Sequence, residues 1–196
     1  MTGAVSDARP GAGPDSAGPG SARLDSAGLR ALQKPLKDAY RADPDSARVP
    51  ARAVAVLDPD SLAVTVAPTA GQPGPTLAGP HPAAGGDGAA ACSADMLCQA
   101  LAACTGVTLS SVATAMGVRL RDARVVVDGT WDARGTLGVS RDVPVGLGEV
   151  TVTLSFSADN AEPATLDRLV ELTERYCVIA QTLTTPPRLT VRRGPP

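Results

Sequence analysis

The feature that most constrains the fold is a long segment without any charged residue, from Met96 to Val118. A membrane-spanning helix needs about 20 predominantly apolar residues, but amide and hydroxyl side chains interrupt this segment and few of its apolar residues are large. We therefore expect a core helix, from Ala94 to Met116, rather than a membrane span. Its apolar residues surround the helix almost completely, which predicts a central, buried position.

Both ends of this helix carry sequence signals. Ser93 can cap the N-terminus through its side-chain oxygen, and Asp95 suits the positive charge of the first helical turn. Gly117 is the predicted stop, because glycine readily adopts the left-handed conformation that ends helices.

Charge and ring content argue against a nucleic-acid partner. The chain has 18 Lys and Arg against 20 Asp and Glu, for a formal net charge of -2, so no basic field is available to hold phosphates. Aromatic residues make up only 2% of the chain, too few for a platform on which bases could stack. We expect neither nucleic acid nor a membrane as a partner.

The chain divides into three parts. Residues 1–28 are rich in Gly, Pro and Ser and lack apolar spacing, which predicts a disordered tail. Residues 29–48 form a predicted N-terminal helical segment, because leucines recur at helical spacing from Leu29 onwards, with Pro35 limiting or kinking the helix. Residues 49–196 are predicted to form one domain.

Within that domain, strand and helix patterns alternate around the central helix. A hairpin is predicted from runs 51–57 and 62–66, joined by a turn and followed by a long Gly- and Pro-rich loop over 68–91. After the central helix, the patterns predict strands over 118–127, 130–139 and 149–156, a helix ending at 176, and a strand over 188–192. The predicted class is α+β, mostly antiparallel, with one long central helix.

Cysteine usage indicates a reducing compartment. The N-terminal residues lack the charged start and apolar run of a secretory signal, so we expect a cytoplasmic protein with reduced thiols. Without a CxxC motif or a second histidine beside His81, a metal site is not expected, and no cofactor is implied. The four cysteines are Cys92, Cys98, Cys104 and Cys177.

Two of these cysteines stand out by position. Cys104 lies in the middle of the predicted core helix, and Cys177 follows the second helix directly. Both can be small buried hydrophobic residues, since cysteine is among the most buried residue types. Cys98 lies six residues before Cys104, and about 600° of helical rotation turns the two side chains roughly 120° apart. We therefore expect Cys98 to fill the core.

The sequences around Cys104 and Cys177 resemble the OsmC/Ohr family. The segments concerned are ALAACTGVTL at 100–109, GTLGV at 135–139 and LTERYCVI at 172–179, and the resemblance covers roughly residues 50–193. It implies the OsmC-like fold, an intertwined homodimer with active sites at the subunit interface, and reduction of organic hydroperoxides during oxidative stress. By the same resemblance, Cys104 is the peroxidatic cysteine, Cys177 resolves its sulfenic acid, and a dithiol restores both.

The chain departs from the peroxidases of that family at two positions. They carry Glu ten residues before the peroxidatic cysteine, where this chain has Ala94, and an Arg before the helix, whereas this chain has no Arg or Lys from 53 to 118. A cation beside Cys104 would lower the pKa of its thiol. The candidates to supply one are Arg52, Arg134 and Arg175, with His81, expected to be an exposed loop residue, behind them.

Two alternatives remain open from the sequence. In the first, the OsmC fold is kept without peroxidase activity and binds a small apolar ligand at the dimer cleft. In the second, the chain is an unrelated α+β structural or interaction module. The separation of the Cys104 and Cys177 sulfurs, together with any guanidinium near Cys104, distinguishes these alternatives from the peroxidase.

Overall fold

The computed structural model of the chain describes residues 24–193, which form five helices and five strands with two short 3-10 turns. The helices are α1 (Ser26–Ala42), α2 (Ser93–Met116), α3 (Ala133–Thr136), α4 (Pro163–Tyr176) and α5 (Val178–Thr184). The strands are β1 (Ala55–Leu57), β2 (Val64–Val66), β3 (Thr76–Ala78), β4 (Arg121–Thr130) and β5 (Glu149–Ser157). The predicted α+β class with antiparallel sheets is confirmed.

Helix α1 starts earlier than its leucine spacing predicts. The Asp25 carboxylate accepts a 2.8 Å hydrogen bond from the Gly28 backbone N–H, which caps the helix at Ser26 instead of Leu29. Pro35 lies inside the helix without ending it. The predicted tail over residues 1–28 therefore overlaps α1 at its end, and residues 1–23 lie outside the described part of the chain.

Strands β1, β2 and β3 form a small antiparallel sheet in that order. The predicted hairpin is present, with Ala55 paired to Val66 and Leu57 to Val64. Its turn is held by Asp58, whose carboxylate accepts from the Asp60 N–H and the Ser61 hydroxyl. Strand β3 lies inside the segment predicted as a continuous loop, because three residues between prolines and glycines give no period to detect.

Strands β4 and β5 form the second sheet, an antiparallel pair whose register runs from Arg124 opposite Ser155 to Thr130 opposite Glu149. Along β5, Val150, Leu154 and Phe156 are partly buried and the polar residues between them are exposed, as expected for alternating faces, but Val152 on the same face is also exposed. Helix α2 packs against β4, so this sheet forms one wall around the central helix.

Helix α2 has nearly the predicted bounds but a different cap. The N-cap is Cys92, which makes no side-chain hydrogen bond, and Ser93 is already the first helical residue, so the predicted Ser93 cap is wrong. Asp95 lies in the first turn as expected. At the other end Gly117 has φ 71° and its N–H bonds Ala113 and Thr114 carbonyls, which confirms the glycine stop.

The burial of α2 differs from the prediction. Only one stripe of the helix is fully buried, formed by Leu101, Thr105, Leu109 and Ala113 at four-residue spacing. The small side chains on its other faces leave these faces only partly covered by the single chain. By length and composition, α2 is the one described helix able to cross a bilayer, a criterion that core helices of soluble proteins also meet. In this fold it contacts α4, α5 and β4.

The main core lies where α2 meets α4. Leu109 and Ala113 from α2, Val118 after it, and Leu169 from α4 form a buried cluster, against which Phe156 of β5 packs. Burial of each leucine or valine side chain of this cluster contributes about 1.5–3 kcal/mol to folding. This cluster fixes the position of α4, and therefore of the residue that follows it, relative to α2.

Two predicted strands are absent from the described residues. The segment 130–139 turns into α3, because the Asp132 carboxylate caps the helix at the Arg134 N–H, and Gly138 then takes φ 68°. The segment 188–192 has no regular structure in the described part of the chain, and Leu189 and Val191 are each 86% exposed. A strand there would need a pairing partner that the single chain does not offer.

Candidate functional site

The structure brings Cys104 and Cys177 together. Cys104 lies in the middle of α2. Cys177 is the C-cap of α4 and also the N-cap of α5, and its extended backbone angles separate the two helices. Helix α2 contacts α4 and α5, and the Cys104 thiol is among the groups that lower the pKa of the Cys177 thiol. Both sulfurs are free, and no disulfide joins them.

Thr105, the residue after Cys104, contacts the Cys177 sulfur directly. Its Oγ1 lies 3.5 Å from Cys177 Sγ, and the side chains are 5% and 1% exposed. Because the pair lies in the interior of the protomer, water does not compete for this hydrogen bond. The site therefore has three members, of which the sequence identified only the two cysteines.

The surroundings of Cys177 favour its thiolate. Burial raises the pKa of the Cys177 thiol. Hydrogen bonds with the Thr105 hydroxyl, the Ala180 and Ile179 backbone N–H groups and the Cys104 thiol lower this pKa by more than burial raises it, so the net pKa is below its usual value. A lower pKa raises the thiolate fraction near neutral pH, and the thiolate is the nucleophile. Cys177 can therefore act as an attacking sulfur although it is buried.

A small apolar cavity opens beside Cys177. Its volume is about 350 Å³, and aliphatic side chains of α2, α4, α5 and β5 dominate its walls. The residues that line it include Leu101, Thr105, Val152, Leu154, Val170, Thr173, Glu174, Cys177 and Leu183. A cavity of this chemistry can hold a short aliphatic group next to the sulfur.

A larger cavity adjoins the first and shares Val150, Leu183 and Thr184 with it. It has a volume of about 770 Å³ and extends to the N-terminal turn of α2, where Cys92 and Ala94 line it. None of its described lining residues is an Asp, Glu, Lys or Arg. The two cavities together form a mainly uncharged space that runs from Cys177 to the start of α2.

His81 lies on the wall of the larger cavity and is half-buried, so the expectation of an exposed loop residue is wrong. Its Nδ1 accepts a 3.0 Å hydrogen bond from the Ala83 N–H, which caps a short 3-10 turn at Pro82–Ala84. Its ring meets Trp131 edge to face, with centroids 5.5 Å apart. The contact with Trp131, 50 positions away along the sequence numbering, depends on tertiary folding.

Two of the three arginines predicted to stabilise the Cys104 thiolate have partners of their own in the single chain. The Arg134 guanidinium donates from Nε to both carboxylate oxygens of Asp132 and from Nη2 to Oδ2, and this pairing raises the pKa of Arg134. The Arg175 guanidinium lies 5.8 Å from the centroid of the Tyr176 ring. Arg52 lies on the exposed segment before β1. None of the three is among the groups that shift the pKa of Cys177.

The other two cysteines lie elsewhere. Cys98 faces the end of β4, since a Cβ built on Gly129 would lie 3.5 Å from its Sγ. Cys92 caps α2 and lines the larger cavity. Within residues 24–193, no group of three or more His, Cys, Asp and Glu side chains is arranged to hold a metal ion.

The role of Thr105 was not predicted from the sequence, and the reason is physical. Its position in the buried stripe of α2, four residues after Leu101 and four before Leu109, could have predicted a buried hydroxyl that needs a partner. The identity of that partner depends on the packing of α4 and α5 against α2, which no local pattern encodes.

Comparison with known proteins identifies the fold and the family. The family model for OsmC-like proteins matches residues 86–192, which is more than half of the chain and contains Cys92, Cys98, Cys104 and Cys177. No curated protein matches the chain.

Several solved structures share this fold. The chain is similar to an OsmC-like protein from Mycoplasma pneumoniae, with 19% identity and a TM-score of 0.56 over 70% of this chain and 89% of that one. It is similar to an OsmC-like protein of unknown function from Vibrio cholerae, with 14% identity and a TM-score of 0.55 over 69% and 94%. The organic hydroperoxide resistance protein OhrB of Bacillus subtilis also matches, with 16% identity and a TM-score of 0.46 over 70% and 93%.

Proposed function

The chain belongs to the OsmC-like protein family, and from this premise we propose that it is a thiol-dependent peroxidase that reduces organic hydroperoxides. The observation that carries the proposal is the placement of Cys104 beside Cys177, both free, next to an apolar cavity. Two neighbouring thiols are what a two-cysteine peroxidase requires, because the second sulfur must reach the first after oxidation.

The proposed reaction has three steps. The Cys104 thiolate attacks the terminal oxygen of the hydroperoxide, so that an S–O bond forms, the O–O bond breaks, and the alkoxide leaves with a proton as the alcohol. The Cys177 thiolate then attacks the sulfenic acid on Cys104, which gives a disulfide and releases water. A dithiol reductant restores both thiols by exchange.

The cavities support an alkyl or fatty-acid hydroperoxide as the substrate. Aliphatic residues such as Leu101, Val152 and Leu154 dominate the walls nearest Cys177, and an alkyl chain gains about 25 cal/mol for each Å² that it buries there. Hydrogen peroxide has no apolar part to bind. We therefore expect alkyl hydroperoxides to be the better substrates.

We also propose that the active form is a homodimer in the cytoplasm, where reduced thiols and dithiol reductants are available. Only six apolar side chains are fully buried among residues 24–193, and Val107 on the central helix is 68% exposed. A second copy would cover this surface and could bring Arg52, Arg134 or Arg175 to the partner's Cys104. Light scattering at micromolar concentration should give the mass of a dimer, and a monomer mass would contradict this proposal.

A direct assay tests the activity. The full chain is mixed with dithiothreitol and either cumene hydroperoxide or hydrogen peroxide, and peroxide loss is followed with time. We expect faster consumption of the alkyl hydroperoxide. The control is the variant with both Cys104→Ser and Cys177→Ser. If the natural chain consumes neither peroxide faster than this control, the proposal is wrong.

A second candidate function is ligand binding without peroxidase chemistry. The larger cavity favours ligand binding. Ala94 lies on its wall at the position where peroxidases of the OsmC/Ohr family carry a Glu, and no Asp, Glu, Lys or Arg is among its described lining residues. Binding of an apolar fluorescent probe, displaced by fatty acids but with no peroxide consumption, would support this alternative over the peroxidase.

A further inference from the structure

We propose that Thr105 is a positioning residue for the resolving step, in which its hydroxyl holds the Cys177 sulfur ready to attack the sulfenic acid on Cys104. This inference rests on the proposed peroxidase function. Its subject is the second step of the reaction, and it assigns a role to a residue outside the cysteine pair.

The contact that carries this inference is short and protected. Thr105 Oγ1 lies 3.5 Å from Cys177 Sγ, and both side chains are buried. Since Thr105 follows Cys104 directly on α2, the helix that presents the sulfur to be attacked also presents the hydroxyl that holds the attacking sulfur.

Thr105 differs from other threonines in the helices of this chain. A helical threonine commonly donates its hydroxyl hydrogen to the carbonyl four residues earlier. Within the described helices, four threonines do so, each at 2.8 Å: Thr108, Thr114, Thr173 and Thr182. The hydroxyl of Thr105 has the Cys177 sulfur as its partner instead. The Thr105 hydroxyl therefore interacts with the cysteine between α4 and α5 rather than with a carbonyl of its own helix.

The Thr105 hydroxyl also stabilises the negative charge of the Cys177 thiolate. A buried thiolate loses hydration and needs donors in its place. The titratable side chains facing Cys177 are the Cys104 thiol from α2 and the Glu174 carboxylate, which lines the same cavity from α4. The described wall residues of α5 and β5 carry no titratable group, although the Ile179 and Ala180 backbone N–H groups donate. When Cys177 is a thiolate, the Thr105 hydroxyl can only donate to it, and within residues 24–193 Thr105 and Cys104 are the two side chains that act on this sulfur by hydrogen bonding.

The step that Thr105 assists balances without a further reactant. Cys177 enters as a thiolate, and its sulfur forms a bond with the Cys104 sulfur while the S–O bond of the sulfenic acid breaks. The oxygen leaves as hydroxide and takes a proton from solvent to become water. The hydroperoxide consumed in the first step is the only oxidant. Because the thiolate is the reacting form, the rate of this step follows the ionisation of Cys177.

The test compares Thr105→Val with Thr105→Ser in single-turnover reactions with cumene hydroperoxide. Val keeps the shape of the side chain but removes the hydroxyl, whereas Ser keeps the hydroxyl. For Thr105→Val we expect disulfide formation to slow about tenfold at pH 7, as a charge-assisted hydrogen bond of this kind implies. Its pH profile should move to higher pH. Formation of the sulfenic acid should keep its rate, and Thr105→Ser should restore fast resolution.

Thr114→Val is the matched control. Thr114 lies on the same helix and lines neither cavity, and its hydroxyl donates to the Ser110 carbonyl. We expect the pH profile of disulfide formation to stay unchanged in this variant. A shift as large as that of Thr105→Val would mean that loss of any hydroxyl from α2 has this effect, and would overturn the inference.

A second measurement does not depend on peroxide. In a Cys104→Ser background, the rate of Cys177 alkylation is measured against pH with Thr, Ser or Val at position 105, and each variant is checked for a cooperative thermal transition. Val should move the Cys177 profile to higher pH, while Ser should not. An unchanged profile in a folded Val variant overturns the inference. If the natural chain does not consume peroxide at all, the peroxidase proposal is overturned instead, so the two failures are distinguishable.

Discussion

The side-chain amide of Asn160 donates a 2.8 Å hydrogen bond to the carbonyl oxygen of Gly117, the residue that ends α2. Its Oδ1 accepts a 2.9 Å hydrogen bond from the Arg119 backbone N–H. The Asn160 side chain therefore links the connection between β5 and α4 to the connection between α2 and β4. This tie helps to hold the helix that carries Cys104 against the one that precedes Cys177.

Removal of this side chain should destabilise the fold. Asn160→Ala loses two hydrogen bonds, and we expect the free energy of unfolding to fall by about 1–2 kcal/mol. Urea denaturation followed by circular dichroism measures the change. Asn160→Asp keeps the acceptor for the Arg119 N–H but loses the donor to Gly117, so an intermediate loss is expected. A stability for Asn160→Ala equal to that of the natural chain would show that water replaces both bonds.

The two cysteines should fail in different ways. Cys104→Ser should abolish peroxide turnover, because a hydroxyl does not supply the nucleophile. Cys177→Ser should allow one turnover and leave Cys104 as a sulfenic acid that a dimedone reagent traps, since only resolution is lost. Mass spectrometry of the labelled peptides checks both results, with Cys98→Ser as the control that retains full turnover. Dimedone label on Cys177 in the Cys104→Ser variant would reverse the assigned roles.

Gly86 is expected to tolerate no side chain. A Cβ at this position would lie 1.7 Å from the Pro80 carbonyl oxygen, so Gly86→Ala must displace the loop that carries His81. We expect a loss of about 1–3 kcal/mol in stability and a change in the fluorescence of Trp131, the single tryptophan of the chain, which contacts His81. Gly74→Ala is the control, because open space surrounds that position. Equal effects of the two substitutions would contradict the prediction.

The acid titration of Asp132 should lie far below the ordinary range. Side-chain hydrogen bonds from Arg134, followed by the bond from its backbone N–H, lower the pKa of Asp132 from 3.8 to about 2. A carboxyl group with a lowered pKa stabilises the folded state above its unfolded pKa, and this contribution disappears as the pH falls through about 2. Carboxyl NMR titration measures the midpoint. Arg134→Gln should raise it towards 3.8, whereas Arg168→Gln, which affects the separate pair with Glu171, should leave it unchanged.

The elements that the sequence predicted well carry their own signals. Helix α2 has a long, mostly apolar sequence without charge after Asp95 and a glycine at its end, and the β5 sequence alternates at period two, so both were predictable within a few residues. The strands predicted over 130–139 and 188–192 failed because an extended segment needs a partner strand. A capping carboxylate at Asp132 outweighed extended propensity in the first case.

The candidate site was predictable only in part. The surroundings of Cys104 and Cys177 in the sequence indicated a pair, because family resemblance carries information about distant contacts. The contact between Thr105 and Cys177 spans 72 positions and depends on how two helices pack, so the helical spacing could indicate a buried hydroxyl but not its partner. The half-buried contact between His81 and Trp131 was missed for the same reason.

The buried stripe of α2 has a consequence for how this chain can change in evolution. Thr105 belongs both to that stripe, between Leu101 and Leu109, and to the cluster around Cys177. Insertion or deletion of one residue between Leu101 and Thr105 would rotate the rest of the helix by about 100° and move these two residues out of phase with each other. Packing and chemistry share one helical phase, so selection for a stable core also preserves the orientation of the reactive residues.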